Sequence, residues 1–212
     1  MDPKWKHPFA SIVAGPSGCG KTQFVLKFLK NLPSLCDTKF IEVVWYYAEW
    51  QQWYSDYPRI RFEEGLPKAD FPDQQPRLVI IDDLMRESNE KVVDLFTKGC
   101  HHKNISVFFI TQNLFHQGKG QRDISLNAHY IIYFKNPRDR AQIQHLARQM
   151  CPENPKFLQE AYNDATSVPH GYLLIDLKQN TEDNFRFRTN IFPTDGYQYV
   201  YVAKNKQIKL NK

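Results

Sequence analysis

The sequence is poor in cysteine and has no long apolar run, and both shortages narrow what it can be. Four cysteines occur in 212 residues, Cys19, Cys36, Cys100 and Cys151, irregularly spaced and never as a C-x-x-C pair. That argues against a disulfide framework. The run Cys100-His101-His102 invites a zinc reading, but three consecutive residues converge poorly on one ion and no second ligand pair stands at a standard spacing. It reads instead as a polar loop after a helix. No stretch approaches the roughly 18 consecutive apolar residues of a membrane span. The opening residues, MDPKWKHPFASIVAG, lack the apolar core and small-residue cleavage site of a signal peptide. The expectation is a protein without a membrane segment, kept in a reducing compartment. Internal repeats, low-complexity tracts and a linker are also missing. So is an N-K-x-D base-recognition motif, since Asn136-Pro137-Arg138-Asp139 does not supply one, which disfavours a GTPase.

What is present has the balance of a globular domain, with 42% hydrophobic and 24% charged residues. We read one domain over residues 1–212: a core of about 8–150, a β-rich extension of about 170–203 and a basic tail, 204–212. The net charge of +5 permits polyanion binding without demonstrating it.

Short apolar runs alternate with helical periodicity. Phe9–Ala14 reads as a buried strand running into a glycine loop. Phe24, Val25, Phe28, Leu29 and Leu32 then recur at helical spacing, with Pro33 as the expected stop. Phe40–Tyr47 is β-branched and aromatic, a second strand. The proline-rich stretch holding Pro58, Pro67, Pro72 and Pro76 reads as an irregular excursion. Leu78–Ile81, Ser106–Ile110 and Tyr130–Phe134 are further strands. A helix over Glu90–Lys98 is capped by Gly99, another begins near Pro137, and a shorter one holds Phe157, Leu158, Ala161 and Tyr162. Gly171–Leu177, Phe185–Ile191 and Tyr197–Val202 follow with no helix between them, which implies antiparallel pairing. The early strands are continuously apolar, as strands covered on both faces are. The fold class is therefore α/β, with a mainly parallel, helix-flanked sheet and a C-terminal antiparallel β extension.

Gly15-Pro16-Ser17-Gly18-Cys19-Gly20-Lys21-Thr22 matches the phosphate-loop pattern G-x-x-x-x-G-K-[ST] in full, between a strand and an amphipathic helix. The glycines let backbone N–H groups turn toward phosphates, and the helix N-terminus adds partial positive charge. Lys21 is expected to reach the β- and γ-phosphates of ATP, and Thr22 to offer its hydroxyl to Mg²⁺. Leu78-Val79-Ile80-Ile81-Asp82-Asp83 ends a strand in two acids. Asp82 is the candidate Mg²⁺ partner of Walker B type, and Asp83 the candidate base that orients the attacking water. Gln112, or failing it Thr111, lies where a polar strand end contacts the γ-phosphate or its water. The transition state also calls for a cation. Lys119, Arg122, Lys135, Arg138 and Arg140 are available, with Arg122 preferred because its glycine-containing loop can face a neighbouring subunit.

GPSGCGKT, LVIIDD, FFITQN, ISLNAHYIIYFKNPRDR and FRFRTNIFP, in that order, resemble the genome-packaging ATPases of the FtsK–HerA superfamily. The resemblance runs from about Pro8 to Pro193 and is greatest to the short forms of poxvirus-like large DNA viruses, virophages and Polinton/Maverick elements. It implies a P-loop NTPase of ASCE type and an ATP-driven homo-oligomeric ring that moves double-stranded DNA into a preformed capsid. The implied partners are duplex DNA and a capsid or portal-vertex protein, and the implied setting is a viral protein inside the host cell. Asp83 departs from the glutamate of many relatives. Nothing resembles a nuclease domain, which argues against a large terminase. The alternatives left by the residues alone are a small nucleotide or metabolite kinase and another AAA+ or helicase-like ATPase. The aromatic run Trp45–Tyr57 is read as core, subunit interface or capsid contact in preference to base stacking.

Overall fold

The computed structural model describes residues 3–67, 74–82, 90–96, 103–114 and 121–204, with only the backbone of 90, 91 and 121–123. Asp83, Gly99, Cys100-His101-His102, Lys119 and tail residues 205–212 lie outside the described residues.

Among the described residues nine strands form one sheet, in the order β3-β2-β4-β5-β1-β6-β7-β8-β9. Strand β1 (Ala10–Ala14) leads into helix α1 (Lys21–Lys30) and the short α2 (Leu32–Leu35); β2 (Glu42–Tyr47) and β3 (Arg61–Glu64) follow. Next come β4 (Arg77–Asp82), α3 (Glu90–Asp94), β5 (Ile105–Thr111), α4 (Gln121–Leu126) and β6 (Tyr130–Phe134). Helices α5 (Ala141–Met150) and α6 (Pro155–Ala165) precede β7 (Tyr172–Asp176), β8 (Phe187–Thr189) and β9 (Tyr199–Tyr201). Strands β1 to β6 pair in parallel, and β7, β8 and β9 add on in antiparallel sense. The mainly parallel sheet and its antiparallel extension are as the patterning implied. β5 stands between the strand that enters the phosphate loop and the strand that ends at Asp82, which is the additional-strand arrangement of ASCE type.

Both faces are covered, which is why β1, β5 and β6 are buried along their whole length. One face packs Phe24, Val25, Leu26 and Phe28 of α1 against Trp5, Phe9, Phe108 and Ile132. The other carries Ile124 of α4, Ile143, Leu146 and Ala147 of α5, and Leu158 and Tyr162 of α6. Burial of a large apolar side chain stabilises by about 1.5–3 kcal/mol, so these two layers fix the sheet on which the loops stand.

Four expectations need correction. Pro33 does not stop α1: the helix ends at Lys30 and is capped by Asn31, whose side chain donates to the Lys27 carbonyl at 2.8 Å, and Pro33 sits in the first turn of α2. Proline suits that place because its missing N–H has no helical acceptor there. The excursion after β2 is also less irregular than its prolines imply. It holds a 3₁₀ turn, Gln52–Asp56, and the edge strand β3, which bonds to β2 on one side only. Pro58 and Pro67 flank that strand, where they disturb no ladder. The helix expected near Pro137 starts at Ala141. Asn136 accepts the N–H groups of Arg138 and Asp139 at 3.2 and 3.3 Å, and this side-chain turn delays the helix. Lastly, Arg122 belongs to α4 and not to a loop. The aromatic run behaves mainly as core, with Trp45 and Tyr54 buried and Tyr54 stacked on Phe62 at 4.3 Å between ring centres.

Candidate nucleotide site

The phosphate loop leaves β1 at Gly15, whose N–H donates to the Thr111 carbonyl at 3.2 Å and ties the loop to the end of β5. A side chain is excluded here: a Cβ on Gly15 would stand 2.7 Å from Cys19 Sγ and 2.8 Å from Phe134 Cβ. Gly20, with φ of 106°, takes the left-handed turn that lets α1 begin at Lys21. The first-turn N–H groups of α1 thus point into the loop, as an anion requires. The Lys21 ammonium folds over the same loop and donates to the carbonyls of Gly15 at 2.8 Å and Pro16 at 3.0 Å. Both acceptors are neutral carbonyls, and a hydrogen bond from an ammonium to a charged oxygen is the stronger kind. Burial pushes the Cys19 thiol up, so it stays protonated beside the loop.

The other expected residues come to the same edge by strand register. Thr111 lies opposite Ala14, and Ala14 lies opposite Tyr133 on the far side. Asp82 pairs with Ile110 of β5, so the end of β4 stands level with the end of β5. Gln112 follows β5 and is exposed, while Thr111 is buried and donates its hydroxyl to the Asn113 carbonyl at 3.1 Å. Of the two expected residues, only Gln112 is thus open to solvent at this edge. Leu114 donates its N–H to Gln142 Oε1 at 3.3 Å, and Gln142 donates to Asp139 at 2.7 Å, so the chain after Gln112 is tied to α5.

Thr22 and Asp82 are one hydroxyl and one carboxylate. Among the described residues no three His, Cys, Asp or Glu side chains gather into a cage for a metal. Such a sparse donor set fits Mg²⁺, which keeps waters and substrate phosphates in its shell, and fits poorly to a structural metal. Among the candidate cations, Lys135, Arg138 and Arg140 are exposed beyond β6, beside the loop strand. Arg122 occupies the second position of α4, and its side chain lies outside the described residues. No described helix is long and apolar enough to cross a membrane.

Sequence reasoning missed the other wall of the site. A cleft of about 610 Å³ opens beside Gly18, Gly20, Lys21 and Thr22, and its far side is formed by Val168, His170, Asn190 and Phe192. His170 Nδ1 lies 3.0 Å from the Cys19 carbonyl, joining the connection before β7 to the phosphate loop. The only available signal was that Asn190 and Phe192 fall within FRFRTNIFP, a stretch that carried resemblance without a role.

A sheet whose central strand passes through GPSGCGKT into a helix, with a carboxylate two strands away at the same edge, defines the P-loop NTPase fold. Solved structures bear this out. The chain is similar to the genome packaging NTPase B204 from Sulfolobus turreted icosahedral virus 2. Against its complex with ATP-γ-S, the TM-score is 0.55 at 12% identity, over 85% of this chain and 96% of that one. Against its complex with AMPPCP, the TM-score is 0.52 at 13% identity, with the same coverage of 85% and 96%. The cytoplasmic domain of the Type VII secretion ATPase EccC from Thermomonospora curvata gives 0.53 at 14% identity, over 85% of this chain but 25% of that one. No family model matches the sequence, and no match was found among curated proteins.

Proposed function

We propose that this chain is a Mg-dependent ATP hydrolase that drives double-stranded DNA into a viral capsid. It works as a homo-oligomeric ring against a capsid or portal-vertex protein, inside the host cell. The observation that carries the hydrolase reading is that the phosphate loop leaves β1 at the edge where β4 ends in Asp82 and β5 ends before Gln112, with β5 between the loop strand and the Asp82 strand. Support for packaging comes from the ordered sequence resemblance and from a fold shared with B204, itself a genome packaging NTPase.

In this reading the loop N–H groups and Lys21 hold the β- and γ-phosphates. Thr22 and Asp82 would hold Mg²⁺, which when bound neutralises charge on the phosphate oxygens. Asp83 orients the attacking water and accepts its proton, and Gln112 touches the γ-phosphate or that water. Because Thr111 is bonded into its own turn and Leu114 is tied through Gln142 to α5, a shift at Gln112 is passed to the helix layer. Arg122 of a neighbouring subunit completes the site.

Duplex contacts of a motor fall on phosphates, so affinity should drop steeply with salt and vary little with sequence. Filter binding of duplexes of unrelated sequence across a salt series tests this. A flat salt dependence would overturn the DNA half of the reading.

A further inference from the structure

We propose that the cleft beside the phosphate loop receives the nucleoside of the bound nucleotide, so that the antiparallel extension of the sheet reads the base. The inference rests on the ATPase reading and adds to it the residues that select ATP over bare polyphosphate.

The cleft is continuous with the loop. Gly18, Gly20, Lys21 and Thr22 line one end, and Phe24 and Lys27 carry the wall along α1 away from the phosphates. Its volume of about 610 Å³ falls within the range of small-molecule pockets. Among the described residues three non-glycines adopt positive φ: Asn104, His170 and Asn190. Two of these, His170 at 59° and Asn190 at 54°, line this one cleft. A left-handed conformation costs up to about 1–2 kcal/mol for a residue with a Cβ, less for asparagine and histidine, and such conformations collect at binding sites.

The chemistry of the far wall suits a purine nucleoside. Phe192 lines the cleft with only a small part of its ring exposed. It stands edge-on to Phe24 at 5.1 Å, carries the Lys27 ammonium 4.4 Å from its centre, and donates its backbone N–H to Asp195 at 3.1 Å. Lys27 closes that clamp with a 2.6 Å ion pair to Asp195. Val168 is 58% exposed and lines the cleft next to Pro169. Together these give a mainly apolar slot for a base, with the Lys27–Asp195 ion pair in its wall. At its rim the Asn190 carboxamide offers one donor and one acceptor, the pair that matches the N6 and N7 positions of adenine. His170 Nδ1, 3.0 Å from the Cys19 carbonyl, ties this wall to the phosphate loop.

The test compares ATP with inorganic tripolyphosphate, which carries the phosphates and no base, by calorimetric titration of the full chain with Mg²⁺. Wild type should bind ATP at least about tenfold more tightly than tripolyphosphate. Asn190→Ala should weaken ATP on the order of tenfold, the ratio carried by one paired base edge, and leave tripolyphosphate unchanged. Val168→Asp places a charge in the slot at an exposed position where folding is not at stake, and should have the same selective effect. Lys21→Ala should weaken both ligands. A wild type that binds ATP and tripolyphosphate alike overturns this proposal alone, as do both cleft variants retaining full ATP affinity. A wild type that binds neither overturns the ATPase reading and this proposal with it.

Discussion

Replacing Arg188 with methionine should destabilise the protein strongly, and for a reason visible in the strands that build the cleft. Arg188 Nη2 donates to Asp176 Oδ2 at 2.7 Å, with the two side chains only 4% and 5% exposed. The same arginine donates through Nη1 to the Pro3 carbonyl at 3.2 Å. Asp176 Oδ1 accepts the Thr181 hydroxyl at 3.0 Å and the Lys178 N–H at 3.1 Å. The pair thus joins β7, β8 and the N-terminal segment. Removing one member of a buried pair leaves an uncompensated charge and costs about 3–5 kcal/mol, whereas replacing both by apolar groups is often close to neutral. A typical domain has about 5–15 kcal/mol in all, so the single variant should unfold at much lower urea while Asp176→Leu with Arg188→Met recovers most of the loss. The pH dependence gives a second reading. Burial already raises the Asp176 pKa, with Arg188 opposing it, and losing the arginine raises it further. A carboxyl whose folded pKa exceeds its unfolded one adds stability at low pH and loses it as pH rises through the folded value. The Arg188→Met penalty should therefore grow from about pH 4 upward. Urea melts at several pH values measure both effects. A single variant that costs under about 1 kcal/mol at neutral pH would refute the reasoning.

Gly15→Ala forces a Cβ to within 2.8 Å of Phe134 Cβ, and this overpacking should cost about 1–3 kcal/mol and abolish the stabilisation by ATP in thermal melts. Asp83→Asn removes a base and no phosphate ligand, so it should bind ATP in titrations yet stop turnover in phosphate-release assays. Arg122→Ala subunits should bind ATP and lose on the order of 10³-fold in rate. Mixing them with Lys21→Ala subunits should restore part of the activity if the arginine acts across a subunit boundary. Co-assembled mixtures that stay inactive would pass the role to Arg138 or Arg140.

The parts legible in the sequence were contiguous. GPSGCGKT, LVIIDD and the apolar strands state their chemistry within six to eight residues, and register then brings Asp82, Gln112 and the loop to one edge. The cleft was not legible, because Phe24, His170 and Asn190 meet only through the placing of β7 and β8 beyond β6. No periodicity records that order. β3 was hidden by its flanking prolines, which read as breakers although an edge strand tolerates them. The start of α5 was displaced because a side chain, Asn136, took the N–H groups that Pro137 was expected to leave to a helix. Arg122 was placed in a loop on the strength of the glycines before it, whereas Gln121–Leu126 is helical and places Ile124 in the core.

Steady-state ATP hydrolysis, measured with and without Mg²⁺ and with and without duplex DNA, tests the central claim most directly. Wild type should turn over ATP only with Mg²⁺ and faster when duplex is added, and Lys21→Ala should be inactive under every condition. Turnover indifferent to duplex DNA, or retained in Lys21→Ala, would contradict the account.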